Sequence, residues 1–94
     1  MKVVNIKALG NFIQDHAEVR SQVSEWLQEV REAQWSNPDD IKNRFPSASF
    51  LANNIVIFNL KGKKYRLAVQ VTYKTKIVFV KLIGTHQQYN RWIF

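Results

Sequence analysis

Between residues 61 and 91 the chain gathers the side chains that can hold an anion or move a proton. Lys61, Lys63, Lys64 and Arg66 fall close together, and Thr85-His86-Gln87-Gln88-Tyr89-Asn90-Arg91 follows some twenty positions later. A cation cluster with a histidine and a tyrosine suits cleavage of an RNA phosphodiester without a metal. That reaction activates a 2′-hydroxyl as nucleophile, stabilises added charge on the phosphate and protonates the 5′-oxygen that leaves. Histidine, which titrates near neutral pH, can carry either proton, so His86 is the candidate proton carrier. Tyr89 offers a weaker donor or a stacking surface for a base, and Lys61 and Arg66 can clamp the non-bridging oxygens.

Other chemistries find no residues. The chain has no cysteine, so it has neither disulfides nor thiolate metal sites, and His16 and His86 are too far apart in sequence to suggest a zinc site. Three glycines form no phosphate loop. No Gly-x-Ser-x-Gly elbow occurs, and the second half carries no paired carboxylates. The expectation is a site with no metal and no cofactor.

Charge supports a polyanionic partner. Through Leu60 there are six basic and seven acidic residues, a net of minus one; from Lys61 onward there are eight basic residues and no carboxylate. Segregation of this kind makes one end of the molecule a cation surface, and phosphate neutralisation by Lys and Arg drives nucleic-acid binding. A purely solubilising role would mix the signs instead. With 94 residues, 46% of them hydrophobic, one compact domain over 1–94 is expected. Neither a signal-peptide stretch nor an apolar run of membrane length is present, which predicts a cytoplasmic protein with no membrane partner.

The elements that must position these residues can be read from periodicity. Lys2 to Ile6 reads as a short strand leading into a helix over about Ala8 to Gln14. Val19, Val23, Trp26, Leu27, Val30 and Ala33 recur at helical spacing with charges between them, the clearest helix in the chain. Ser36-Asn37-Pro38-Asp39-Asp40 stops it and supplies a cap and first-turn proline for a short helix through Arg44. The period then changes. Ser49 to Leu51 is a short strand and Asn53-Asn54 a turn, followed by a strand over Ile55 to Leu60 and a turn at Lys61-Gly62-Lys63. Tyr65, Leu67, Val69, Val71 and Tyr73 alternate with polar neighbours in a long strand with one buried and one wet face. Lys74-Thr75-Lys76 closes a hairpin onto Ile77 to Ile83. The predicted fold class is α+β, an N-terminal strand and helices on one face of a small, mainly antiparallel sheet drawn as a meander. Its hairpin and C-terminal segment can meet at one sheet end.

Each candidate also has a plain structural reading. A lone histidine near a chain end is more often a surface residue, and hairpin lysines often only blunt an edge strand. Tyr65, Tyr73 and Trp26 share the parity of the core, Trp35 and Trp92 fit packing and partner contact equally, and Asp39-Asp40 is helix capping. Periodicity and charge alone therefore support nucleic-acid binding and stop short of catalysis.

The run Asn53-Asn54-Ile55-Val56-Ile57-Phe58-Asn59-Leu60-Lys61-Gly62-Lys63-Lys64-Tyr65-Arg66-Leu67, and then Val78 through Gly84-Thr85-His86-Gln87-Gln88-Tyr89, resembles the HigB-type toxins of the RelE-like superfamily. Glu29-Val30-Arg31-Glu32-Ala33 with Trp35, Ile41-Lys42 and Phe45-Pro46-Ser47-Ala48-Ser49 extend the resemblance over nearly the whole chain. It implies ribosome-dependent endonucleolytic cleavage of messenger RNA in the A site, with contacts to ribosomal RNA. It also implies inhibition of translation, a HigA-type antitoxin with a helix-turn-helix, and operator DNA bound only through the toxin-antitoxin complex. Residue by residue, Arg66 matches the arginine of the Tyr-Arg-Leu segment, Lys61 the second lysine, His86 the basic position after the last strand, and Tyr89 is the nearest tyrosine. Asn59 stands where the first lysine would be, His86 where an arginine is frequent, and Tyr89 earlier than the pattern places it. The resemblance thus makes Lys61, Arg66, His86 and Tyr89 catalytic candidates. Asn59, Lys63, Lys64, Lys81 and Arg91 are the RNA-binding ones.

Three other functions fit parts of the same pattern. A ParE-like gyrase poison would keep the fold and change the target, which the basic cluster beside His86 and Tyr89 disfavours. A noncatalytic RNA-binding or ribosome-associated module needs only the cation surface, and an inactive toxin remnant needs neither.

Overall fold

A computed structural model describes residues 1–94. In chain order it contains β1 (Lys2–Val4), α1 (Ile6–Asp15), α2 (Arg20–Glu32), α3 (Pro38–Arg44), β2 (Ser49–Phe50), β3 (Ile55–Leu60), β4 (Tyr65–Thr72), β5 (Ile77–Thr85) and α4 (His86–Tyr89). The five strands form one sheet in the order β1-β5-β4-β3-β2. The α+β class is as expected.

The sheet is mixed. β2, β3, β4 and β5 pair antiparallel in a meander, whereas β1 lies parallel to β5 with Val3 opposite Val78. β1 is also shorter than expected, because Asn5 takes a left-handed conformation at φ 71 and turns the chain into α1 at Ile6. Its side-chain amide donates to the Val80 carbonyl at 2.9 Å, which pins the turn to the far end of the chain.

α2 buries Val23, Trp26 and Val30 on one stripe, with Val19 in the single turn of 3-10 helix before it. α3 begins as the residues dictate: the Asn37 side chain accepts from the Asp40 amide at 3.1 Å and Pro38 occupies the first turn, where its missing N–H costs nothing. Together with β1, β3, β4 and β5 these helices enclose a core of 19 buried residues. Trp26 and Phe58 meet edge to face, as do Phe45 and Phe58. Trp35 belongs to this core and packs against Phe45, so its role is packing.

Two strand boundaries move. β4 ends at Thr72 rather than Lys74, and Tyr73 enters the turn half-buried. β5 runs on through Gly84 to Thr85, pairing Gly84 with Arg66 and Thr85 with Tyr65. A bulge at Lys81 interrupts that ladder: Val80 stands opposite Val69 and Leu82 opposite Ala68. It switches the parity of β5, so that Val78, Val80 and Ile83 face the helices while Phe79, Leu82 and Gly84 share the opposite face with Arg66, Ala68 and Gln70.

That second face is not uniformly wet. Ala68 is wholly buried there with Ile55 and Ile57, because Tyr89 and Trp92 fold back from the end of β5 and cover them. No helix of the molecule is long and apolar enough to cross a membrane.

Candidate functional site

The site forms where β4, β5 and α4 meet. Arg66 leaves the open face of β4 opposite Asn59 on one side and Gly84 on the other. Thr85 then caps α4. Its hydroxyl accepts from the Gln88 amide at 3.2 Å, and the Gln88 side chain accepts from the Thr85 amide at 2.8 Å, a reciprocal capping box. The His86 amide continues the ladder by donating to the Lys64 carbonyl at 2.9 Å, which ties the turn to the β3–β4 hairpin. Gly84 permits this fold-back: a Cβ there would lie 2.6 Å from Gln88 Oε1 and 3.0 Å from Trp92 Cζ2.

The outcome is a compact trio. The Arg66 guanidinium lies 4.7 Å above the centre of the Tyr89 ring, and its Nη2 is 3.4 Å from His86 Nδ1, a long contact. Trp92 abuts the Tyr89 ring edge to face at 5.5 Å and fixes the platform from behind. Arg66 can only donate, so Nδ1 is the atom that would accept in this contact. Arg66 Nε is buried and has no partner. A guanidinium seated over an aromatic ring, with Nη2 only weakly paired, can receive an oxyanion.

The remaining candidates are distributed around this trio. Asn59, opposite Arg66, donates from Nδ2 to the Ser47 carbonyl at 3.0 Å, and its Oδ1 is buried without a partner. Lys61 lies at the hairpin turn with φ 50, beside Gly62 at φ 67; its main-chain amide is held by the Gln22 side chain, while its ammonium makes no bond. Lys63 is exposed at the same turn, and Lys64 places its ammonium 5.7 Å from the Tyr65 ring on the helix side. The structure therefore brings Arg66, His86 and Tyr89 into contact and leaves the hairpin lysines at their margin. Lys81 is separate: it sits in the bulge, four residues down β5 from Thr85 and about 13 Å away at the usual rise of a strand. Arg91 is exposed just beyond α4. No three His, Asp or Glu side chains converge anywhere.

Behind the hairpin is a second titratable group. Glu18 accepts from the Tyr65 hydroxyl, and His16 stacks on Phe12 at 4.1 Å with its edge toward Tyr65. The hydrogen bond from Tyr65 holds the Glu18 carboxyl below its ordinary value, and the same bond raises the Tyr65 phenol. This pair fastens the loop before α2 to the first residue of β4.

The sequence points to Arg66, His86 and Tyr89 as candidates and less plainly to what holds them. Trp92 and Gln88 hold the fold-back in place, and the Thr-x-x-Gln spacing at Thr85 and Gln88 was the available sign that a helical turn begins there.

Residues 19–92 match the family model HigB_toxin, described as the RelE-like toxic component of a toxin-antitoxin system. The chain belongs to this family. The match starts at the approach to α2 and takes in all of the sheet except β1, together with Arg66, His86, Tyr89 and Trp92. A HigB-family toxin has an antitoxin as its partner. No curated protein matches the chain closely enough to add to this.

Proposed function

We propose that this HigB-family toxin is an endoribonuclease that cuts messenger RNA in the ribosomal A site without a metal or cofactor, and so inhibits translation in the bacterial cytoplasm. Its antitoxin is of the HigA type, and operator DNA is reached only through the complex of the two. The observation that supports this reading is the Arg66 guanidinium seated over the Tyr89 ring with His86 beside it.

A phosphate arriving at Arg66 meets an Nη2 whose only partner is a distant imidazole nitrogen, while the Nε is buried. Binding the non-bridging oxygens draws the guanidinium off His86 and frees Nδ1 to take the proton of the 2′-hydroxyl. As the O2′–P bond forms, the P–O5′ bond breaks, and the 5′-oxygen takes a proton from the Tyr89 hydroxyl. The products are a 2′,3′-cyclic phosphate and a 5′-hydroxyl. Arg66 and Lys61 stabilise the added charge, a contribution of about 10² to 10³ in rate for one well-placed donor. Asn59, Lys63, Lys64, Lys81 and Arg91 hold the RNA chain, the four cations among them by way of its phosphate backbone.

Primer extension on a messenger RNA, with and without programmed ribosomes, tests the proposal in the wild type and in Lys61→Ala, Arg66→Ala and His86→Ala. Cuts that need ribosomes and disappear in the Arg66 and His86 variants are expected. A folded protein that leaves the messenger intact under both conditions would sink the ribonuclease reading in favour of a gyrase poison or a binding module.

A further inference from the structure

The open face of the sheet does not end at Arg66. Beyond Trp92, toward the other end of β4 and β5, lies a cleft of about 390 Å³ whose walls include Phe79, Leu82, Lys81, Gln70, Asn53 and Phe94. Phe79 and Leu82 are unusually open for large apolar residues, at 42% and 38% exposure. Phe79 stands opposite Gln70 in the ladder. The Gln70 amide nitrogen donates to the Asn53 carbonyl at 2.9 Å, which orients the side chain and leaves its own carbonyl oxygen without a partner. Lys81 is held in the bulge beside the aromatic ring rather than in a regular strand position.

We infer that this cleft is a base-binding subsite for single-stranded RNA, taking a nucleotide that flanks the scissile phosphate. The inference rests on the ribonuclease reading for its orientation and on its own residues for its chemistry. An exposed aromatic on a sheet face is a stacking platform for an unpaired base, and an adjacent lysine neutralises the phosphate of that nucleotide. Fixed amide groups at the rim offer a donor and an acceptor to a base edge. From Arg66 to Gln70 the strand rises about 13 Å, so the base held beside Phe79 is not the one whose phosphate is cut. The two ends lie on one face of the sheet, with Trp92 packed between them on Ile55, Ile57 and Ala68. The charge also selects this occupant, because no acidic side chain follows Asp40 in the sequence and Lys81 lines the cleft. The bulge makes the site possible, since it turns Leu82 outward and places Lys81 next to Phe79 in the same stretch of strand.

The test uses RNA that cannot be cut. Isotope-labelled protein is titrated with 2′-O-methyl tetranucleotides of each base and followed by amide and aromatic chemical shifts. Shifts at Phe79, Gln70 and Lys81 are expected, with one base favoured. Phe79→Ala should lower affinity about 5- to 150-fold, the range for losing one stacked base, and Lys81→Ala should lower it in a salt-dependent way. Shifts confined to Arg66 and His86, or a cleft that takes an acidic amphipathic peptide and no oligonucleotide, would overturn the inference. Because the probe lacks a free 2′-hydroxyl, filling of the cleft in a protein that never cuts messenger RNA would uphold the subsite while the ribonuclease reading fell.

Discussion

The two faces of the sheet share the same strands and differ in what covers them. On one side three helices close over 19 buried residues, among them Phe58 beneath Trp26 and Phe45. On the other side only Ile55, Ile57 and Ala68 are buried, under a four-residue helix and Trp92, and the rest of the face is left to Arg66, Gln70, Phe79 and Leu82. Stability is thus concentrated on the helix side, and the groups that can act on a ligand stand on the side that contributes least to it. Substitutions on the two faces should separate folding from activity.

The largest effect is expected from the closed face. Phe58→Ala leaves a cavity in the packed layer and should cost about 3 to 5 kcal/mol in chemical denaturation, a large part of the stability of a domain this size. Arg66→Ala and His86→Ala should do the reverse, with activity down about 10² to 10³-fold and a denaturation midpoint close to wild type. If either variant unfolds the protein, the two faces are less independent than their packing indicates. Tyr89→Phe keeps the ring beneath Arg66 and removes only the hydroxyl, so phosphate binding should persist while turnover falls if the phenol is the acid. Thr85→Ala removes one half of the capping box and should cost about 1 kcal/mol locally, seen as faster amide exchange at Gln88 with little change in the helical core.

The smallest effect concerns pH. The Glu18 carboxyl is held below its ordinary value of 4.5 by the hydrogen bond from Tyr65, so its contribution is present above that value and is lost as pH falls through the lowered one. Tyr65 is raised above 10.0 by the same bond, and that contribution is complete below pH 10.0 and lost as pH climbs through the raised value. Glu18→Gln should flatten the acid limb of a melting-temperature profile, and an unchanged limb would show that the pair does not fasten the loop to β4.

How much of this was legible in the chain depended on the range of the signal. α2 could be read because Val19, Val23, Trp26 and Val30 repeat a helical period, and α3 because Asn37 and Pro38 mark its start locally. The meeting of Arg66 with His86 also followed, since two successive hairpins return the chain to the same sheet end. The parallel pairing of β1 was hidden, because three residues carry no information on the direction of a distant neighbour. The bulge left a trace in the spacing of Val80 and Ile83, which share a face across an odd interval. Burial of Ala68 depends on Trp92, and no period links a strand residue to a tryptophan beyond the last helix.

The parallel pairing of β1 with β5 has a consequence in time. Asn5 reaches the Val80 carbonyl across 75 residues, and the edge of the sheet closes only when the first strand meets the last. Such long closures make folding slow and place it late in synthesis, when the final strand has become available. Arg66 is made well before His86, Tyr89 and Trp92, so the groups of the site come together only after nearly all of the chain has been translated. Under the proposed function, a ribosome making this protein has almost finished before the site that would act on its messenger exists.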